Sequence, residues 1–492
     1  MTKRTMALGP GLAGSLAALL AGCATVAPTD RLTQRLVIDH VNVVDVRDGS
    51  VARDRAIMIE DGRIVRIVAG GSVGASGAGR VVDGKGAFVV PGFNDMHAHN
   101  LNTASPETNL PAMLASGVTG FRQMAPVDPA VNVANLPANA PALLARPGRL
   151  LAGPAFATPA AVKAEVDKQK AEGFDFIKVV DLPTAPFLAA ADQAYAQGLP
   201  FAGHLPPTVD PRLAILSHMA SIEHMGPTVS LLLACSRDEA AIRAVLAAVP
   251  PGAGIDFTID PAQLQRLLAN PVMLTPPQGF GLMRRVLATY DETKCRAFAA
   301  ELAASDTWIV PTLTRLEAMN LGNSKELRDN PDLQYVPAAS RQLWREVGGD
   351  FDTKLTAEQR QVLTELFAAQ LKLTRLFDEA GVKMLAGTDF GGQWIVPGRS
   401  LHREFDLLAR SGVSPLHILQ MATIGPARFL RREASMGTVE AGLNADLVLL
   451  DGDPTVSAAN LHMIAGVVRA GRFLSKEELD ALSNDIAAKL RR

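Results

Sequence analysis

Two imidazoles stand two residues apart at the end of Val89-Val-Pro-Gly-Phe-Asn-Asp-Met-His-Ala-His99. On an extended strand that spacing sends both rings to one face, where a single metal ion can meet them. Phe88, Val89 and Val90 form an apolar lead-in, Pro91-Gly92 marks a turn, and 93–99 read as a short strand ending in its ligands. Taken alone, His-x-His is equally a pair of half-buried or surface histidines. Four further residues change the weighing, each at or near the C-terminal end of an apolar run. Lys178 sits in Phe174-Asp-Phe-Ile-Lys178, and His204 ends Leu199-Pro-Phe-Ala-Gly-His204. His224 ends Ser221-Ile-Glu-His224, and Asp389 ends Met384-Leu-Ala-Gly-Thr-Asp389. Singly these are a snorkelling lysine, two structural histidines and a helix N-cap. Their order along the chain is far more specific than any member. A lysine in an apolar strand is expensive to bury charged. Once neutral, its amine can take up carbon dioxide, and the resulting carbamate is an anionic ligand whose two oxygens can bridge two metals.

The elements that must carry these residues follow from periodicity. Apolar runs at 93–99, 118–122, 149–152, 174–180, 200–204, 221–224, 308–313 and 382–389 alternate with helical patterns, which predicts eight parallel strands. The fold class is therefore α/β: a (β/α)8 TIM-like barrel, whose chemistry belongs at the C-terminal ends of its strands. Flanking it, 35–88 and 434–474 read as β, with Asp61-Gly62 marking a hairpin between alternating runs. Neither half is large enough alone, so one small β-sandwich built from both termini is expected. The barrel then spans 89–433, with helical insertions at about 227–306 and 315–380 that are candidates for a lid. Capping boxes are expected at Ser236/Glu239 and Thr356/Gln359, and Ser475 opens a last amphipathic helix over 475–492.

The first residues read as a targeting signal. Lys3 and Arg4 precede an apolar stretch, and Leu20-Ala21-Gly22-Cys23 resembles a bacterial lipobox, making 1–22 a lipoprotein signal, Cys23 the lipidation site and 23–34 a tether. The expected location is periplasmic, anchored to a bacterial membrane such as the outer membrane, or secreted. In an oxidising compartment the remaining cysteines, Cys235 and Cys295 in one insertion, have the opportunity to pair. The chain of 492 residues carries a net charge of −2, which becomes −4 once Lys3 and Arg4 are removed. With no excess or clustering of positive charge, no nucleic-acid footprint is expected. The oligomeric state stays open, a homo-oligomer included.

Over nearly the whole mature chain these motifs resemble the amidohydrolase superfamily, in its imidazolonepropionase-related, prolidase-like branch with a carboxylated lysine. The resemblance rests on the segments above together with Ser116-Gly-Val-Thr119, Gly203-His-Leu-Pro206, Ser400-Leu-His-Arg-Glu404 and Gly437-Thr-Val-Glu-Ala-Gly442. Gly120-Phe-Arg-Gln123 departs from the more usual Thr-Val-Arg-Asp, which bears on substrate rather than metals. The resemblance implies two divalent metal ions, zinc being expected. His97, His99 and Asp389 would hold one and His204 and His224 the other, with carbon dioxide-modified Lys178 between them. It further implies hydrolysis of an amide C–N bond in a small substrate, a dipeptide or N-acyl amino acid, with Asp389 as proton shuttle. His402, Trp394 and Arg122 are expected substrate contacts. The alternatives are a lactonase or phosphotriesterase using the same site, and a non-catalytic, lipid-anchored binding protein.

Overall fold

The computed structural model describes residues 35–73, 79–102, 105–226, 229–248 and 260–491. The expected signal, Cys23 and the tether lie outside the described residues. At the centre, strand Phe93–Ala98 pairs in parallel with Val118–Gln123, which pairs with Ala142–Ala145. Leu151–Ala152, Ile177–Asp181, Phe201–Gly203, Met219–Glu223 and Trp308–Val310 follow as successive parallel neighbours. Pro147 bridges to Phe176, and Asp175 N–H donates to Arg146 O at 3.1 Å, so the two sheets join through one interrupted strand over 142–152. The run expected at 149–152 is thus only the tail of that strand, since Pro147 has no N–H to offer a ladder.

Residues 383–390 complete the ring, though they form backbone bonds rather than a regular strand. Ile309 N–H donates to Lys383 O and Leu385 N–H to Ile309 O, both at 2.9 Å. On the other side Met96 N–H donates to Ala386 O at 2.9 Å and Asp389 N–H to His97 O at 2.7 Å. The (β/α)8 arrangement therefore runs from the last strand back to the first, bringing Asp389 beside the His-x-His motif.

The second β layer is an eight-stranded sheet drawn from both termini. Its N-terminal strands are Arg35–Val44, Val51–Glu60, Arg63–Ala69, Arg80–Asp83 and Phe88–Pro91; its C-terminal strands are Leu447–Leu450, Ile464–Arg469 and Arg472–Ser475. The halves are sewn together where Phe88–Pro91 pairs antiparallel with Leu447–Leu450. Two tight hairpins, Asp61-Gly62 and Ala470-Gly471, have positive φ at both turn residues, as a two-residue turn matched to strand twist requires. A Cβ on Gly471 would lie 2.7 Å from Gly62 Cα, so the hairpin tips touch and the sheet closes on a core that joins Ile57, Ile59 and Ile64 to Val468 and Phe473.

Among the described residues, the first insertion holds the helices Ser230–Leu233, Glu239–Ala247, Pro261–Ala269, Pro277–Ala288 and Glu292–Ala303. The second holds Leu313–Leu321, Lys325–Arg328, Ala338–Lys354 and Ala357–Ala380. Thr356 and Gln359 form the expected reciprocal cap. Ser236 and Glu239 do not: Asp238 occupies the N-cap position. The Glu239 carboxylate turns instead to Arg212 at 3.3 Å and to Arg243 and Lys294 at 3.0 Å, three cations that outcompete a backbone N–H. Cys235 and Cys295, both fully buried, form a disulfide across 60 positions. Closing a loop of that length removes denatured-state entropy equivalent to about 4 kcal/mol.

Candidate metal centre

Six side chains expected to act together converge at the C-terminal ends of the barrel strands. Asp389 Oδ1 lies 2.8 Å from His99 Nε2 and 3.2 Å from His97 Nε2, and Asp389 Oδ2 lies 3.9 Å from His224 Nε2. Ligand atoms of His97, His99 and Asp389 all fall within 4.8 Å of one another, a spacing one cation can span. The His224 ring sits 4.5 Å from that of His97 and 4.9 Å from that of His204. Lys178 is buried, its Nζ has no hydrogen-bond partner, and its charge is felt by His99, His204 and His224. His97 is sealed whereas 22% of the His99 side chain is exposed, so the site opens on the His99 side.

The electrostatics suit ligands. Burial holds His204 and His224 well below the usual imidazole range, leaving their nitrogens neutral with free lone pairs, and pushes the Lys178 ammonium down to about 8, which eases its deprotonation. Burial works to raise Asp389, but the neighbouring His224 and His97 outweigh it and keep it ionised. A partnerless buried amine among neutral imidazoles and a carboxylate is what a pair of divalent cations with a carbamate bridge would satisfy, so the donor set fits the implied metals.

A further layer orients these ligands, and it went unread in the sequence. His97 Nδ1 lies 2.7 Å from Glu223 Oε2, leaving Nε2 to face Asp389. Glu223 in turn accepts from Arg122 Nη2 at 2.8 Å and from Ser221 Oγ at 2.5 Å. Burial would raise the Glu223 carboxyl, but Arg122 and His97 more than offset this and keep it anionic. His224 Nδ1 meets Thr312 Oγ1 at 2.7 Å. Asp95, which burial pushes up to about 6, accepts from His97 N–H at 3.1 Å, Thr388 N–H at 3.0 Å and Thr388 Oγ1 at 2.7 Å. It clamps the first strand to the last. Partners of this kind fix the tautomer and raise ligand basicity. His224, Thr312 and Asp389 all have φ between 47° and 59°, strained turns at strand ends that aim side chains into the barrel mouth.

The three expected substrate contacts lie elsewhere. Arg122 is buried beneath the site, donating to Met96 O at 2.7 Å and to Glu223, and so supports a ligand. Trp394 is buried against Trp344 with its Nε1 on Gly322 O at 2.6 Å. His402 donates from Nε2 to Ser116 O at 2.9 Å and lines a separate cleft of about 260 Å³ with Arg399, His462 and Lys476. Glu223 was legible in principle: Ser221 and Glu223 share a strand face, and a carboxylate inside a barrel strand demands a buried cation. Thr312 and Arg315, whose Nε lies 3.0 Å from Asp389 Oδ2, carry no such signal, because Thr312 closes an apolar run and Arg315 opens a long insertion.

Residues 368–475 match the Amidohydrolase family model, covering the last strand region, Asp389 and the C-terminal β segment. Over 93% of the chain the structure is similar to a bottromycin amidohydrolase, with a TM-score of 0.69, 24% identity and 91% of that chain covered. The chain thus shares the fold of that amidohydrolase, and its residues 368–475 match the family's model. The fold is shared with a putative prolidase from Bifidobacterium longum, with a TM-score of 0.59, 21% identity and 92% and 99% of the two chains covered. It is also shared with a Xaa-Pro dipeptidase bearing bound methionine, with a TM-score of 0.58, 18% identity and 90% and 100% covered. Among curated proteins, an adenine deaminase of Rubrobacter xylanophilus is 38% identical over 69 residues, 14% of this chain and only 11% of that protein's length.

Proposed function

We propose that this protein is a binuclear metal-dependent amidohydrolase that cleaves an amide C–N bond in a dipeptide or N-acyl amino acid. The observation that carries the reading is the convergence of His97, His99, His204, His224 and Asp389 around Lys178, whose buried Nζ has no other partner. In this reading His97, His99 and Asp389 would hold one cation and His204 and His224 the other, with Lys178, once carboxylated, a ligand to both. Divalent cations bound here would polarise the amide carbonyl and lower the pKa of water from 15.7 toward about 7. The protein's own part is to hold the acceptor of the proton. Asp389, ionised and 15% exposed, takes a proton from the attacking water and returns it to the leaving nitrogen. Glu223 and Thr312 keep the imidazoles in the tautomer the reaction needs. The prolidase-fold relatives support a small amide as substrate.

Metal analysis of the purified chain and turnover on paired dipeptide, N-acyl amino acid, lactone and phosphotriester panels test this. Two metals per chain, hydrolysis of amides and a loss of about 10³-fold in kcat in Asp389→Asn with metal retained are expected. One metal per chain, or turnover confined to the esters, would overturn it. We further propose that Cys23 anchors the mature chain to a membrane. Among the described residues no helix is long and apolar enough to cross one. Detergent partitioning of wild type against Cys23→Ser checks the anchor, and equal partitioning would refute it.

A further inference from the structure

The second oxygen of Asp389 is held by a group that belongs to none of the expected motifs. Arg315 lies in helix Leu313–Leu321, just past the strand Trp308–Val310, with only 6% of its side chain exposed. Its guanidinium donates in three directions: Nε to Asp389 Oδ2 at 3.0 Å, Nη1 to Ala269 O at 2.7 Å and Nη2 to Leu268 O at 2.8 Å. Leu268 and Ala269 end the insertion helix Pro261–Ala269, so one cation joins the last carbonyls of that helix to a carboxylate on the eighth strand segment. The neighbourhood is shaped around it. A Cβ on Gly392 would lie 2.0 Å from Arg315 Nη1, so any side chain there would have to displace the guanidinium. Gln393 N–H reinforces the junction by donating to Ala269 O at 3.0 Å. The backbone that carries Arg315 is pinned as well, with Thr314 N–H on Glu404 Oε2 at 2.8 Å and Thr312 on His224.

We infer that Arg315 is a positioning residue that sets the rotation of the Asp389 carboxylate and ties it to helix Pro261–Ala269. The geometry divides the two oxygens: Oδ1 faces His97 and His99, while Oδ2 lies between Arg315 and His224. A planar fork with diverging N–H groups can hold a carboxylate and two carbonyls at once, whereas an ammonium is a point charge that cannot reach all three. Displacing the helix removes two of the three bonds of Arg315 and frees the Asp389 carboxylate to turn; loss of the carboxylate loosens the helix in return. The functional meaning of this tie rests on the hydrolase reading above, but its physical existence does not.

The test therefore uses two readouts that need no turnover. Hydrogen–deuterium exchange on the full-length, metal-loaded chain reports the helix, and the visible absorption of the Co(II)-substituted chain reports the field at the metal site. Arg315→Gln is expected to speed exchange over 261–275 by about tenfold or more and to change the cobalt band. Asp389→Asn, which leaves Arg315 in place, is expected to speed exchange in the same peptides. Arg315→Lys is expected to restore the wild-type signal in neither readout, and it serves as the second variant should the glutamine form fold poorly. A cobalt band unmoved in Arg315→Gln would reduce Arg315 to a cap on helix carbonyls and overturn the inference. So would unchanged exchange over 261–275 in Asp389→Asn. A chain that hydrolyses no amide would sink the hydrolase reading while leaving both readouts free to decide this one.

Discussion

Two histidine clusters in this molecule look alike in composition and differ in construction. At the barrel mouth, ring nitrogens of His97 and His99 converge on one carboxylate oxygen, with His224 on the other side, and the outer nitrogens of His97 and His224 are engaged by Glu223 and Thr312. In the cleft between helices Arg399–Ser411 and Lys476–Arg491, the rings of His402 and His462 are 4.9 Å apart, but their nitrogens point to different partners, Ser116 O and Asp406. Burial holds His402 down to about 4, so it stays neutral without a shared centre to serve. Nearness of ligand types is thus common to both, and a shared target for their lone pairs separates the site from the cleft.

The comparison can be broken by substitution at either end. Lys178→Met at the mouth is expected to lower kcat/KM by more than about 10²-fold and to reduce bound metal, measured by kinetics and elemental analysis, because it removes the donor proposed to join the two cations. Glu223→Gln removes the negative charge beside the outer nitrogen of His97 and leaves the Arg122 charge without a counter-ion. Here the loss should be about 10- to 100-fold in metal affinity or activity, with a destabilisation of about 3–5 kcal/mol seen in denaturant titration. Glu404, buried on helix Arg399–Ser411 against the start of the Arg315 helix, is pushed up to about 8 by burial. Its folded-state pKa exceeds the unfolded value, so its contribution is fully present below about 4.5 and is lost as pH rises through about 8. Glu404→Gln should flatten that part of the stability–pH curve in thermal melts. Smallest of all, His402→Asn in the cleft should leave kcat/KM within about threefold, under 1 kcal/mol of barrier.

Sequence reading grouped the side chains that meet at the mouth because they sit at strand ends, where the period of two and the order of the barrel make position meaningful. The same logic yields the eight-strand alternation and the Asp61-Gly62 hairpin. It misjudged Ser236 and Glu239, where local capping chemistry lost to three cations from other elements. It also sent Arg122 toward substrate, although a buried arginine on the second barrel strand and a buried glutamate on the sixth answer each other's charge. Arg315 was beyond reach, since its partners lie 46 residues before it and 74 after it, joined only once both insertions have folded.

The seam between Phe88–Pro91 and Leu447–Leu450 also imposes an order on biosynthesis. At ordinary translation speeds the earlier strand leaves the ribosome roughly 20 to 70 s before its partner exists. Throughout that interval its ladder edge is bare and competent to pair with a neighbouring nascent chain. Moving the C-terminal strands ahead of Arg35 in a circular permutant would supply the partner first, and should raise soluble yield under rapid expression.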